Sequence, residues 1–231
     1  MSTVLSAMTG DSKNGYLQVL SMAAERQCSA NEGQYFVASP ATTAAVTCNV
    51  TMLATFEPTR PLITMANSAA LTFGVGKKLY LDFLRLRCTV AGVAGTSTRL
   101  SVAVDPATRY SSGGGALTAV NVNSDSSVTS GVTVNAGALL ANAEGANIRT
   151  VVADAMLRSV IPVVGDIYTV TFGGDSFPLG GMIAGSTAIA YAVENMPPVI
   201  AAPGSTIVIN LWHPSQTTAA QWQVLLGWRE R

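Results

Sequence analysis

"KKLYLDFLRLRCTV", residues 77–90, reads as a strand rather than a helix. Its apolar positions begin at Leu79, Leu81 and Phe83, then cross to Leu84, Leu86, Cys88 and Val90, with a period of two on each side of the crossing. A change of face in mid-strand predicts a β-bulge, or a bend that carries the chain from one sheet to another. The same period runs through "AAVTCNVTMLATF" (44–56), where Val46, Cys48, Val50 and Met52 share one side and Thr47, Asn49 and Thr51 the other. The two prolines of "EPTRP" (57–61) force an irregular connection after it. "TRLSVAVDP" (98–106) alternates Leu100, Val102 and Val104 and stops at a turn signal, Asp105-Pro106. Strands are also predicted at 34–39, 159–164, 166–172, 187–193, 205–212 and 221–228, each bounded by Gly, Pro or Asn.

About nine strands at these spacings predict an all-β fold, an antiparallel sandwich or barrel. The helical candidates are short, at 16–27 and 149–158, and the long amphipathic stretches of an alternating β-α chain are absent. We expect one sandwich domain over 34–231, preceded by an arm or irregular segment at 1–33. Residues 111–148 are mostly Gly, Ser, Ala, Asn and Val, and predict a long excursion with one or two weak strands. In an oligomer that excursion, or the arm, would lie across a neighbour.

Charged residues make up only 11% of the 231, against roughly 25% in ordinary domains, while the apolar fraction of 48% is normal. Ser, Thr, Asn, Gly and Ala fill the gap. They make a neutral surface that can be buried against other subunits without desolvating many ions. Lys plus Arg balance Asp plus Glu at 13 each, so no overall field draws the chain to nucleic acid or an anionic membrane. The first 30 residues lack a secretory pattern, and no apolar run is long enough to span a bilayer, so synthesis in the cytoplasm is expected. Cys28, Cys48 and Cys88 are too far apart for a Cys-x-x-Cys motif; Cys48 and Cys88 sit in strand patterns and are expected as buried thiols.

Several short motifs carry potential chemistry. Gly10-Asp11-Ser12, Gly145-Ala146-Asn147 and Asn210-Leu211-Trp212-His213 fall in the order of the nucleophile, oxyanion and acid/base blocks of the GDS-type (SGNH) serine hydrolases. That resemblance implies an esterase with Ser12 as nucleophile and His213 as base. Against it, Asn210 stands where the triad needs a carboxylate. "STVLSAMT" before Ser12 is no buried strand, and Gly-Asp-Ser recurs at Gly174-Asp175-Ser176 in a turn context. His213 is the only histidine and reads as a strand-end residue before Pro214, so a His or Cys zinc site is unavailable. "GVGKK" (74–78) lacks the first Gly and the Ser or Thr of a phosphate loop. Asp166 and Asp175 follow glycines in turns, without a calcium-loop series. Trp222 and Trp228 suggest a sugar-stacking platform. They lie an even number of residues apart with Val224 between them on the same face, which predicts a buried stripe. No catalytic, cofactor-binding or metal-binding residue is assigned.

The segment "INLWHPSQTTAAQWQVLLGWRER" (209–231) places three tryptophans in a short span and closes on Arg229-Glu230-Arg231. It resembles the closing strands of structural proteins from tailed-bacteriophage particles, and the strand ladder and low charge are similar to those of jelly-roll virion proteins. In size the chain resembles the decoration, or cement, proteins on the outside of a capsid. The resemblance implies a jelly-roll sandwich and a homo-oligomer, most simply a trimer, bound to the major capsid protein. Its place would be the capsid surface of the virion, with no cofactor and no nucleic-acid or membrane partner. A tail or baseplate component is the alternative within that class.

Overall fold

The computed structural model describes residues 25–40, 44–48, 56–68, 76–173 and 192–231. A single helical segment, α1 (Glu25–Asn31), precedes the strands of the described residues. These are β1 (Tyr35–Ala38), β2 (Val46–Thr47), β3 (Ile63–Asn67), β4 (Leu79–Val90), β5 (Thr98–Asp105), β6 (Tyr110–Leu117) and β7 (Ala119–Asn121). They continue with β8 (Val132–Ala141), β9 (Arg149–Arg158), β10 (Ile167–Phe172), β11 (Ala192–Met196), β12 (Val199–Ala201), β13 (Thr206–Trp212) and β14 (Gln221–Glu230).

One sheet runs β11-β10-β4-β14-β1-β7, with β12 also paired to β4 and β2 to β14; the other runs β6-β8-β3-β13-β5-β9. Every pairing is antiparallel except β10 with β11. The fold is all-β, as the strand periodicity predicts. Inward side chains line up in rows across each sheet, because paired residues share a face. In the first sheet Val170, Leu84, Leu226 and Ala38 form one row, and Val199, Leu81, Trp228 and Phe36 another. In the second, Val152, Val102, Ile209, Ile63 and Ala136 stand side by side. All of these belong to one buried cluster shared by the two sheets.

The crossing of faces in β4 is a bulge. Gly227 pairs with Phe83 and Trp228 with Leu81, leaving Asp82 as the extra residue. The bulge returns Leu79 and Leu81 to the face of Leu84 and Leu86, and β4 stays in one sheet throughout. It also divides the far edge of the strand: β12 pairs with residues before it and β10 with residues from Phe83 onward. Across the pair, a Cβ on Gly227 would lie 2.2 Å from the Phe83 ring, so only glycine lets that ring lie over β14. Buried Asp82 accepts the Tyr35 hydroxyl at 2.6 Å and the Arg26 guanidinium at 2.8 Å, which holds α1 against the sheet.

Three expectations need correction. Residues 149–158 are β9 and not a helix. Val152 and Leu157 are both buried although five positions apart, because Ala153 and Asp154 together face the single residue Ser101. That bulge breaks the period of two and hides the strand, while pairing with β5 overrides the helix preference of Ala, Met and Leu. Residues 159–164 connect β9 to β10 and form no strand. Pro162 cannot donate to a ladder, and the Asp166 amide closes a turn on the Val163 carbonyl at 2.9 Å. Residues 111–148 hold more strand than the one or two weak strands expected of an excursion. They hold most of β6 and all of β7 and β8, and Val132, Val134, Ala136 and Leu139 join the buried interior. Of the predicted elements at 16–27, 44–56 and 187–193, only the parts in α1, in and beside β2 together with Phe56, and in β11 lie within the described residues.

Candidate functional site

Ser12, Asp175 and the first two residues of "GVGKK" lie outside the described residues. The other members of the hydrolase pattern are not brought together. His213 is fully buried, with its ring stacked on Trp222 at 5.8 Å and 5° between planes, and neither nitrogen has a hydrogen-bond partner among the described residues. Asn210 is on the outward side of β13 and donates to the Glu57 carbonyl at 3.4 Å, so it does not orient the imidazole. Gly145 gives its amide to Asp105 at 2.9 Å. Trp222 and Trp228 are completely buried, so the sugar-platform reading of that pair is overturned in favour of the core stripe. Cys48 and Cys88 are buried free thiols pushed up to about 12 by desolvation. Asp166 accepts from Arg158, from the Val163 amide at 2.8 Å and from the Tyr168 hydroxyl at 2.9 Å, which makes it the anchor of its turn. Among the described residues no group of His, Cys, Asp and Glu side chains is placed to hold a metal ion, and no helix is long and apolar enough to cross a membrane.

The burial of His213 has a measurable consequence. Desolvation lowers its pKa from 6.5 to about 4, so the folded protein keeps the ring neutral where an unfolded chain would protonate it. The stabilisation is present above pH 6.5 and is lost as pH falls toward 4. By linkage the loss amounts to about 3 kcal/mol. Urea unfolding of the native chain and a His213→Leu variant between pH 7 and pH 4 is expected to show this loss in the native chain alone. Parallel curves would refute it.

A groove of about 520 Å³ on the outward face of the second sheet brings several polar and charged groups together. Alternation in β5 and β13 sends Leu100, Val102, Ile207 and Ile209 into the core, so Ser101, Val208, Asn210 and Trp212 form the floor of the groove. Phe56 stands at its rim, 46% exposed, with its ring 5.1 Å from that of Trp212. On the opposite rim the bulge of β9 presents Asp154 at φ +51°, a left-handed conformation that aspartate tolerates better than most residues. Its amide donates to Ser101 Oγ at 2.9 Å, and its carboxylate takes Arg99 Nη1 at 2.6 Å. Arg99 Nε is spent on Ser97 Oγ at 2.9 Å.

Beneath the groove lies a buried ion pair, Arg109 Nη1 to Asp105 Oδ2 at 3.1 Å, with both side chains fully buried. Arg109 also donates from Nε to the Asn142 carbonyl at 2.9 Å and from Nη2 to the Pro58 carbonyl at 2.8 Å. This network fixes the 56–60 and 142–148 walls to the end of β5. Sequence reading missed Arg99, Asp105, Arg109 and Asp154 as a group. The one available signal, Asp105-Pro106, reads only as a turn. Compared with known proteins, the chain matches no family, no curated sequence and no solved structure.

Proposed function

We propose that the protein is a non-enzymatic structural component of a virus particle: a jelly-roll subunit that decorates the outside of a bacteriophage head and stabilises it through contacts between copies. The observation that carries this reading is the nesting of the strands. In chain order, β1, β3, β4, β5, β9, β10, β13 and β14 pair first with eighth, second with seventh, third with sixth and fourth with fifth. The first and third of these pairs fall in one sheet, the second and fourth in the other. A long hairpin rolled up on itself would produce this order, which supports the jelly-roll reading, a fold common in viral capsid and lectin domains. The remaining strands extend the two sheets at their margins.

Surface chemistry supports an assembly role. β6 ends its sheet without a charged residue or a proline, so only its bulges at 110–112 and 113–115 guard that edge. Val120, Val122, Val128 and Leu140, all exposed, lie in the same 111–148 region. Balanced charge offers nothing to packaged phosphates, which favours the outside of the shell. The test is a light-scattering mass together with cosedimentation on tailed-phage heads. A trimer of 23.8 kDa subunits that pellets with heads is expected. A stable monomer that pellets with none would overturn the proposal.

A further inference from the structure

We infer that the groove on the outer face of the second sheet is a binding site for a neutral saccharide, an activity that does not depend on the structural role proposed above. Three observations converge on that chemistry. First, the charges balance locally: Arg99 is paired with Asp154 and Arg109 with Asp105, so the groove offers directional hydrogen bonds and no net attraction for an anion. Second, the Arg99–Asp154 pair sets a planar donor beside a carboxylate acceptor at the rim, where the side chain of Asp154 is 51% exposed and that of Arg99 35%. Adjacent hydroxyls of a sugar ring, each both donor and acceptor, satisfy such a pair together. Third, the half-exposed ring of Phe56 faces the same space, and its apolar face suits the C–H side of a pyranose.

The backbone supports a functional origin for this arrangement. A non-glycine residue held at positive φ within a bulge is the kind of local strain that clusters at ligand sites, and here it turns the carboxylate toward the groove. The volume of about 520 Å³ lies within the range of small-molecule sites. Phosphate or a nucleotide is disfavoured because, among the described residues, Arg99 and Arg109 of the groove each have a carboxylate partner, and Glu144 adds negative charge.

The test is a nuclear magnetic resonance titration of the 15N-labelled full chain. The probes are glucose, galactose, N-acetylglucosamine and their β-linked disaccharides, with inorganic phosphate as the anionic control. Saturable shifts confined to Arg99, Ser101, Asp154 and Asn210 are expected with at least one sugar. Asp154→Asn and Arg99→Gln are each expected to weaken that binding about tenfold or more, because each removes a charge-assisted hydrogen bond. Asparagine tolerates positive φ, so Asp154→Asn separates loss of binding from loss of folding, which the unshifted remainder of its spectrum would report. The inference is overturned if no sugar moves these signals at roughly 10 mM, if the variants bind as well as the native chain, or if phosphate alone binds.

Discussion

Replacing Arg109 with methionine is expected to destabilise the protein by about 3–5 kcal/mol, the range for breaking a buried pair from one side. Methionine fills much of the volume but supplies no donor. Asp105 would keep only the Gly145 amide, and the Pro58 and Asn142 carbonyls would lose the guanidinium that now satisfies them. The loss would be felt in three places, because these contacts join the 56–60 turn, the end of β5 and the 142–145 loop. Removing both charges is a different experiment. Asp105→Leu combined with Arg109→Met leaves no orphaned ion, and the double variant is expected to recover about half of the loss or more. Urea midpoints of the three proteins decide the matter, and a double variant no more stable than Arg109→Met would refute the account.

Trp228→Ala is expected to cost about 3–5 kcal/mol, as for other truncations of large core aromatics. The indole is completely buried, stacked on Phe36 with ring centres 6.1 Å apart, and it donates from Nε1 to Glu230 Oε1 at 3.0 Å. Truncation opens a void in the row of Val199, Leu81 and Phe36. It also removes one of the donors to a buried carboxylate that otherwise receives the Ser130 hydroxyl and the Gly131 amide. Trp228→Phe, which keeps most of the volume and loses the N–H, is expected to cost less, about 1–2 kcal/mol. Equal losses for Phe and Ala at this position would mean that the hydrogen bond, and not the packing, is the main contribution.

The strands with an unbroken period of two were legible in the sequence: β5, β10, β13 and β14 lie almost where Leu100, Val170, Ile209 and Val224 place them. A bulge in β4 was legible as well, because the run of apolar residues changes side, although the pattern placed the crossing between Phe83 and Leu84 and the extra residue is Asp82. The bulge in β9 was not. Ala153 and Asp154 add one residue without an apolar landmark, and Ala, Met and Leu then give the segment a helical character that only pairing with β5 overrides. β6 and β8 were underestimated for a related reason. Their glycines and alanines carry little apolar signal, and β8 becomes a core strand only because β3 lies beside it. The groove was hidden because its members are spread from Phe56 to Trp212, and because the outward residues of a strand look merely polar until two loops close over them. His213, by contrast, was correctly placed by its sequence context as a strand-end residue; its complete burial against Trp222 was not visible there.

The last two strands of the described residues sit in the middle of the two sheets: β13 between β3 and β5, and β14 between β4 and β1. A ribosome delivers these residues after almost every partner they join, at about 5–20 residues per second. Until then β3 and β5, and β4 and β1, lack the strand that stands between them in the finished fold. Pairings such as Tyr35 with Arg229 join opposite ends of the described chain, and contacts of that kind make folding slow. Completion is therefore an event that follows emergence of residues 206–230. In a cell making many copies at once, the interval before it is when neighbouring chains compete for the same vacant positions.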